Sequence, residues 1–382
     1  MSLCPIGSDD AWDDAPAPTV WLGHSVRTTM LTAEHARLAA APHMVSLGDA
    51  VHRPRLLDSV FARPMKERLG ITGPLMLDSG GFTLLGRPGF IDLPRLIDIY
   101  GATDADYVVA LDAPTLRGEK RAARLAKHAQ TLGNLERLSD VIEPRRLVPV
   151  VHGPTLKEVE TNADAVAALA PHARLVALGG IVPLLRSSGS GQGPTRRSSP
   201  LRHVARAITA VRARLPDATI HVLGAGSPTT LLGLIGIGAD SVDSIGWRRA
   251  AGFGAIFIAG AGERFPMEHA RERRSRPVLS GQDRNRLAQC LCPPCLAAGD
   301  IEARVRLFDQ KAHTPRAQHN AWTLLEEAAA CRRARADGEE EAWLRDRLPP
   351  KWMLFDRPQS RGRAPASSQR ITRLSIVASS EA

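Results

Sequence analysis

Residues 75–82 read Leu-Met-Leu-Asp-Ser-Gly-Gly-Phe, and the interpretation of the whole chain starts from this stretch. Its three leading apolar residues predict a short buried strand that ends on the carboxylate of Asp78. Gly80 and Gly81 have no Cβ, so the backbone can turn sharply there and a flat ligand can approach it closely. With the hydroxyl of Ser79 and the ring of Phe82, the stretch suits a pocket for a flat, hydrogen-bonding ring such as a nucleobase. An ordinary Asp-Ser-Gly turn at a strand end is the alternative that these residues leave open.

Short apolar runs alternate with segments of helical spacing along most of the chain. The runs lie at residues 44–47, 75–77, 107–111, 147–151, 175–178, 220–223 and 238–242, of which 44–47 is the first predicted strand. This alternation predicts βαβ units around a parallel sheet. In a chain of 382 residues it favours an α/β fold of the closed (β/α)8 TIM-barrel type over an open doubly wound sheet.

Polar residues and glycines follow these runs at the point where each predicted strand ends. They are Asp78, Asp112, His152, Gly179, Gly180, Gly224 and Asp243. The carboxyl ends of the strands in such a barrel form one rim, and active sites lie there. We therefore expect side chains from distant parts of the chain to converge on one mouth.

The composition bounds the class of partner. The net charge is +10 and the pI is about 10.0, with an excess that is mostly arginine, so a polyanionic partner is expected. A general compositional bias toward arginine and alanine is the alternative. No run of 18 apolar residues occurs, and the first residues are acidic, so we expect a cytoplasmic protein that does not contact membranes.

Three of the five cysteines lie close together, at Cys290, Cys292 and Cys295. This spacing suits a tetrahedral zinc site that needs one further ligand. His319, which opens a helical stretch, is preferred as that ligand to His313, which lies in a Thr-Pro turn. Four protein ligands leave no open position, so the expected zinc is structural. Surface cysteines without a metal are the alternative.

These features suggest four segments. They are an N-terminal extension (1–40), a barrel catalytic domain (41–285), a zinc knuckle with C-terminal helices (286–355) and a disordered basic tail (356–382). A Ser/Gly-rich loop at 187–200 follows one predicted strand, and its Arg196 and Arg197 would reach phosphates if it projects from the rim. A surface insertion without a role is the alternative.

Together these motifs resemble the tRNA-guanine transglycosylase superfamily, whose members exchange a guanine base in nucleic acid for a 7-deazaguanine. The resemblance rests on residues 78–82, on residues 223–228 and 238–243, and on the cysteines with His319 and Asn320. It runs from about Leu75 to about Trp322. It implies a transglycosylase with a structural zinc ion that binds nucleic acid and a 7-deazaguanine base, acting as a homodimer or with an accessory protein.

The resemblance also implies a role for each matching residue. Asp243 would be the nucleophile that attacks C1′ of the nucleoside, and Asp78 would be the general acid and base, as in a retaining glycosidase. Asp112 would accept hydrogen bonds from the base. The remaining base-binding residues implied are Ser79, Gly80, Gly81, Phe82, His152, Gly179, Gly180 and Leu223.

Two departures from the family pattern bear on the substrate. His152-Gly153 stands where the family has Gln-Gly-Gly. After Asp243 the chain continues Ser244-Ile245-Gly246-Trp247-Arg248-Arg249, which resembles the relatives that modify DNA more than those that modify tRNA. Arg248 and Arg249 are therefore expected to contact nucleic acid, and DNA is favoured over tRNA. A core tryptophan is the alternative interpretation of Trp247.

Two functions of other classes stay open at this point. One is a non-catalytic nucleic-acid-binding subunit of the same superfamily, against which the presence of both Asp78 and Asp243 argues. The other is an unrelated barrel hydrolase with an appended zinc site, which leaves the joint presence of the three motifs unexplained.

Overall fold

The structure is a computed structural model. It describes residues 17–26, 35–50, 53, 55–56, 64–81, 92–115, 118–181, 200–267, 277–309 and 313–352. Three of the predicted site residues, Phe82, Arg196 and Arg197, lie outside the described residues, as do the tail from 356 and nearly all of the 187–200 loop.

Nine short parallel strands form the main sheet of the described part of the chain. They are β1 (Thr19–Ser25), β2 (His43–Ser46), β3 (Leu75–Asp78), β4 (Tyr107–Val109), β5 (Leu147–Val148), β6 (Val150–Val151), β7 (Leu175–Leu178), β8 (Thr219–Val222) and β9 (Ser241–Ser244). They are hydrogen-bonded in the order β5-β4-β3-β2-β1-β9-β8-β7-β6. Pro149, which has no N–H, separates β5 from β6, and these two halves of one run stand at the two ends of that order. The sheet therefore closes on itself, which confirms the predicted TIM-type barrel.

Helices connect the strands and cover the outside of the barrel. They are α1 (Ala36–Ala39), α2 (Met65–Leu69), α3 (Leu93–Ala102), α4 (Arg121–Ser139), α5 (Leu156–Leu169), α6 (Pro200–Arg214), α7 (Pro228–Gly236) and α8 (Gly246–Gly252). In α6 the buried residues Leu201, Val204, Ile208 and Val211 recur at three- and four-residue spacing, which gives the helix one apolar face. Among the described residues, no helix has both the length and the apolar character that a membrane crossing demands.

Alternation along the strands sorts their side chains into two apolar layers. Trp21, Met44 and Met76 belong to a cluster that fills the barrel interior. Their neighbours in sequence, such as Leu22 and Val45, belong to the larger layer between strands and helices. Because successive side chains of a strand point to opposite faces, every second residue of β8 and β9 points into the barrel as well.

Strand β1 corrects one sequence prediction. It pairs with β2 on one side, Leu22 opposite His43, and with β9 on the other, Trp21 opposite Asp243. The first strand of the barrel therefore lies within the segment assigned to an N-terminal extension. The strand predicted at 44–47 does form, at His43–Ser46, but it is the second strand of the barrel and not the first. Gly23 and His24 interrupt the apolar pattern of β1, so the sequence gives no clear strand signal there. In the structure His24 is nevertheless buried.

The C-terminal part packs against the barrel near β9. It contains the hairpin β10 (Ile256–Ile258) and β11 (Gly262–Arg264), followed by α9 (Gly281–Ala288), α10 (Pro293–Ala298), α11 (Ile301–Asp309), α12 (His313–Ala336), α13 (Glu340–Arg347) and a 3-10 turn (Pro350–Trp352). Arg332 and Arg335 of α12 donate hydrogen bonds to the carbonyl oxygens of Pro18 and Ala17. Helix α12 thus holds the start of β1.

Candidate active site

Two carboxylates from distant parts of the chain lie near the carboxyl ends of their strands, close enough for the charge of one to act on the other. Asp78 is the last residue of β3, and Asp243 lies in β9. Burial is the main cause that raises the pKa of Asp78, and the negative charge of Asp243 raises it further. Both side chains retain partial exposure to solvent. A ligand in the mouth can therefore reach both carboxylates.

The surroundings of Asp78 favour its protonated form. Hydrogen bonds from the hydroxyl of Ser46 and the N–H of Gly80 oppose the effects of burial and of Asp243. The pKa of Asp78 nevertheless lies above its ordinary value. The reason is that desolvation, which disfavours the charged carboxylate, is the largest of these effects. A carboxyl group with a raised pKa is suited to act as a proton donor.

The two glycines after Asp78 are required by the close approach of neighbouring backbone and side chains. Gly80 has a φ of 83°, and a Cβ there would stand 2.3 Å from the Cα of Gly48. A Cβ on Gly81 would stand 2.3 Å from Oδ1 of Asp112. The turn can therefore hold its shape and accept Asp112 beside it only without side chains.

Asp112 lies just beyond β4, beside this turn. Burial and then the charge of Asp78 raise the pKa of Asp112 to about 7. A Cβ on Gly179 would be 3.7 Å from Oδ2 of Asp112 and 3.8 Å from Cδ1 of Leu223. Gly81, Asp112, Gly179 and Leu223 therefore lie close together.

Ser79 and His152 are both fully buried near this place. No hydrogen-bond partner for Oγ of Ser79 or Nδ1 of His152 occurs among the described residues. Buried polar groups are nearly always hydrogen-bonded, so a bound ligand is a natural partner for the Ser79 hydroxyl.

The ring of His152 packs toward helix α4. Its Nε2 lies 3.3 Å from Oγ1 of Thr131, and its centroid lies 5.1 Å from that of His128. Burial, with the nearby His128 and Lys127, lowers the pKa of His152 to about 3, so the ring is neutral. A Cβ placed on Gly180 would stand 3.8 Å from the Cβ of His152, which is an ordinary van der Waals distance.

The surroundings of Asp243 include Gly224, which the sequence placed at the rim, and other residues that the sequence analysis missed. The N–H of Gly224 donates to Oδ1 of Asp243 at 2.6 Å, and Nε2 of His221 lies 3.3 Å from the same oxygen. Behind His221 lie Ser241 and Trp21. Counting in twos along the strands would have found His221 and Ser241, which precede the inward-pointing Leu223 and Asp243 by two residues.

The residues after Asp243 divide into buried and exposed positions. Trp247 is fully buried, and its indole N–H donates to the carbonyl oxygen of Gly23 at 3.2 Å, so it is a core tryptophan. Arg248 is half-buried, with its guanidinium carbon 5.3 Å from the centre of the Trp247 ring. Arg249 is exposed.

The predicted metal ligands form one cluster. One ligand atom from each of Cys290, Cys292, Cys295 and His319 lies within 4.8 Å of all the others. Nδ1 of His319 lies 3.3–3.6 Å from the three sulfur atoms. Around tetrahedral zinc, bonds of about 2.3 Å to sulfur and about 2.1 Å to nitrogen place these atoms about 3.6 Å apart, so the donor set fits the ion.

Hydrogen bonding also prepares His319 for a metal. Its Nε2 lies 2.8 Å from the carbonyl oxygen of Phe257, so this nitrogen carries the proton and Nδ1 is free to be a ligand. The next residue, Asn320, accepts from the N–H of Phe257 and donates to the carbonyl oxygens of Trp247 and Ala255. The cluster is therefore tied to α8, which follows Asp243.

Two comparisons place the chain among known proteins. The sequence model of the queuine tRNA-ribosyltransferase family matches residues 29–349. A tRNA-guanine(15) transglycosylase of Methanosarcina mazei is 26% identical over 237 residues, which cover 59% of this chain and 45% of that protein. The match thus spans less than half of the length of this relative. Because the family match extends over most of the chain, the chain belongs to the queuine tRNA-ribosyltransferase family.

Proposed function

We propose that the protein is a transglycosylase that exchanges guanine in nucleic acid for a 7-deazaguanine base. One observation carries this proposal. Two carboxylates interact electrostatically at the barrel mouth in different surroundings, Asp78 with a raised pKa and Asp243 with an oxygen that accepts from the N–H of Gly224. Such a pair provides one proton donor and one nucleophile, which is the requirement of a retaining glycosyl transfer.

In the first step, Asp243 attacks C1′ of the target nucleoside through its Oδ2. The bond from C1′ to the base nitrogen breaks, and the departing guanine takes the proton of Asp78. In the second step, the carboxylate of Asp78 takes the proton from the corresponding nitrogen of the entering base. That nitrogen then bonds to C1′, and Asp243 leaves as a carboxylate.

The base would be held by the residues that meet beside the glycine turn. Asp112 accepts hydrogen bonds from the N1–H and amino groups of guanine, which favour its ionised form. A backbone N–H near Gly180 donates to O6, Ser79 supplies a hydroxyl, and Leu223 packs against the ring. Phe82 and His152 complete the proposed base-binding set.

The base must leave its stack to enter this mouth, either by flipping or from a single-stranded segment. We favour DNA as the polymer because of the pattern from Ser244 to Arg249. Transfer RNA is the second candidate, supported by the names of the matching family and of the M. mazei relative. Arg248 and Arg249, with Arg196 and Arg197, would contact phosphates.

The three cysteines and His319 would hold a zinc ion. With four protein ligands, the ion would stabilise the fold and take no part in base exchange. Because Asn320, next to His319, donates to the carbonyl oxygen of Trp247, the zinc ion would also support α8 beside the active site.

The test is incubation of the purified protein with labelled guanine and, separately, duplex DNA, single-stranded DNA and bulk tRNA. The polymer that retains label identifies the substrate. Release of that label on addition of a 7-deazaguanine base tests the entering base. Failure of every polymer to retain label would contradict the proposed function.

A further inference from the structure

A buried line of polar groups leads from strand β1 to the carboxylate of Asp243. The indole N–H of Trp21 donates to Oγ of Ser241 at 2.9 Å. Oγ of Ser241 lies 2.9 Å from Nδ1 of His221, and Nε2 of His221 lies 3.3 Å from Oδ1 of Asp243. The side chains of Trp21, Ser241 and His221 are almost completely buried, with at most 3% exposure.

Strand pairing brings these groups together. Trp21 of β1 is opposite Asp243 of β9, and His221 of β8 is opposite Ser241 of β9. All four side chains point into the barrel, where most other positions are apolar. Three polar side chains in an apolar interior cost free energy unless they are hydrogen-bonded, so their arrangement next to the proposed nucleophile calls for an explanation.

The donor and acceptor roles in this line follow from the indole group, which can only donate. Oγ of Ser241 accepts from Trp21, so its own O–H must find another acceptor. Among the described residues, Nδ1 of His221 is the acceptor within reach. The proton of the imidazole is therefore on Nε2, which faces Asp243.

We propose that His221 is a positioning residue for the nucleophile Asp243, held in the required tautomer by Ser241 and Trp21. This inference rests on the proposed function. The N–H of Gly224 donates to Oδ1 of Asp243, and Nε2 of His221 lies 3.3 Å from the same oxygen in a polar contact without hydrogen-bond geometry, while no hydrogen bond to Oδ2 occurs within the described part of the chain. Oδ1 is thereby fixed and Oδ2 is presented to C1′.

The same arrangement serves both steps of the exchange. In the covalent intermediate, Oδ1 becomes the carbonyl oxygen of an ester and still accepts from the N–H of Gly224, with Nε2 of His221 beside it. When the ester breaks, negative charge returns to the carboxylate, and the hydrogen bond from Gly224 together with the nearby N–H of His221 stabilises that charge without reorganisation. Loss of one donor should therefore slow formation and breakdown of the intermediate and leave the affinity for nucleic acid unchanged.

Two substitutions separate the two ends of the imidazole. His221→Gln can place an amide N–H close to the position of Nε2, which keeps the donor to Asp243. His221→Asn reaches only the position of Nδ1, so it keeps the contact with Ser241 and loses the donor. With the polymer that retains label, the covalent adduct is measured on denaturing gels in single turnovers, and binding is measured separately.

We expect His221→Asn to slow adduct formation by about 10²-fold, because small errors in the placement of a reacting atom have effects of this size. We expect His221→Gln to stay within about 10-fold of the unsubstituted protein. The dissociation constant for nucleic acid should be unchanged in both variants. Adduct formation by His221→Asn at the unsubstituted rate, or equal losses in both variants, would overturn the inference.

The role of Ser241 is tested by a double-mutant cycle. Ser241→Ala should slow adduct formation when His221 is present and have no further effect in the His221→Asn background. Full effects in both backgrounds would show that Ser241 does not act through His221. If the unsubstituted protein forms no adduct with any polymer, the proposed function fails; if it does and His221→Asn matches it, only the role of His221 fails.

Discussion

Gly81 and Asp112 touch across the turn that follows β3, and a Cβ on Gly81 would stand only 2.3 Å from Oδ1 of the carboxylate. Real Cβ atoms do not approach an oxygen so closely, so any side chain at residue 81 must displace Asp112. The glycine that marks the motif in the sequence is therefore needed to place the proposed base-binding carboxylate.

Gly81→Ala should weaken base exchange through loss of base binding. We expect kcat/KM to fall by about 10–100-fold, mostly through a higher KM for the base, because an interaction common to ground and transition state is lost. The matched control is Gly133→Ala in helix α4, where a Cβ meets no atom within 4 Å. That variant should be fully active and more stable by about 0.5–1 kcal/mol. Normal kinetics in Gly81→Ala would remove Asp112 from base binding.

Asp243→Asn should abolish both base exchange and the covalent adduct. An amide is a poor nucleophile, so we expect a loss of at least about 10³-fold with little change in the affinity for nucleic acid. Asp240→Asn is the control, because Asp240 lies just before β9 and forms an ion pair with Arg212 at 2.6 Å. It should lower stability and leave the chemistry intact. An active Asp243→Asn variant would exclude Asp243 as the nucleophile.

The pH dependence of stability should carry the signature of Asp112. Its pKa is about 7 in the folded protein and about 3.9 in an unfolded chain, so the folded state binds the proton more tightly. The contribution to stability is present below pH 4 and is lost as the pH rises to about 7. Asp112→Asn should therefore raise the free energy of unfolding at pH 8 by about 1–3 kcal/mol, and should reduce base exchange.

Urea unfolding at pH 5 and pH 8 measures this effect. Asp217→Asn, which changes an exposed carboxylate between α6 and β8, should keep the pH dependence of the unsubstituted protein. If Asp112→Asn also keeps it, the carboxyl of Asp112 does not have a raised pKa.

Removal of one proposed zinc ligand should unfold the C-terminal part. Cys292→Ala leaves three ligands, and we expect loss of the bound zinc together with several kcal/mol of stability. Cys331→Ala is the control, because this buried thiol contacts Glu340 and not the cluster. This variant should still bind zinc and should lose about 1 kcal/mol of stability. A stable, zinc-free Cys292→Ala protein would show that the cysteines do not hold a structural ion.

The sequence predicts the barrel and the two central carboxylates because local signals carry them. Short apolar runs mark strands, and a strand of such a barrel presents its last residues at the mouth, so Asp78 and Asp243 are found without knowledge of the pairing. The spacing of Cys290, Cys292 and Cys295 is equally local. These features can be predicted from the alternation of strands and helices and from the rule that the carboxyl ends of barrel strands form the active-site rim.

Features that depend on long-range pairing could not be predicted in this way. Nothing in the local sequence distinguishes His221 from other strand residues. Its role can be recognised only from the pairing of β8 with β9, which places Ser241 opposite it. Strand β1 was missed because Gly23 and His24 interrupt its apolar pattern, and the burial of His24 is decided by tertiary contacts. The use of Trp247 to infer the substrate class also rested on local sequence alone. Its hydrogen bond to the carbonyl oxygen of Gly23 joins distant parts of the chain and could not be foreseen in that way.

Trp21 and Ser241 are 220 residues apart in sequence, and this separation bears on how the protein is made. On the ribosome, β1 is synthesised long before β9, and the two strands can pair only after β9 has been translated. Until then the nascent sheet has open edges, and the contacts that surround Asp243 in the folded protein are absent. Because contacts of such high order form slowly, we expect the last stage of folding and the onset of activity to coincide.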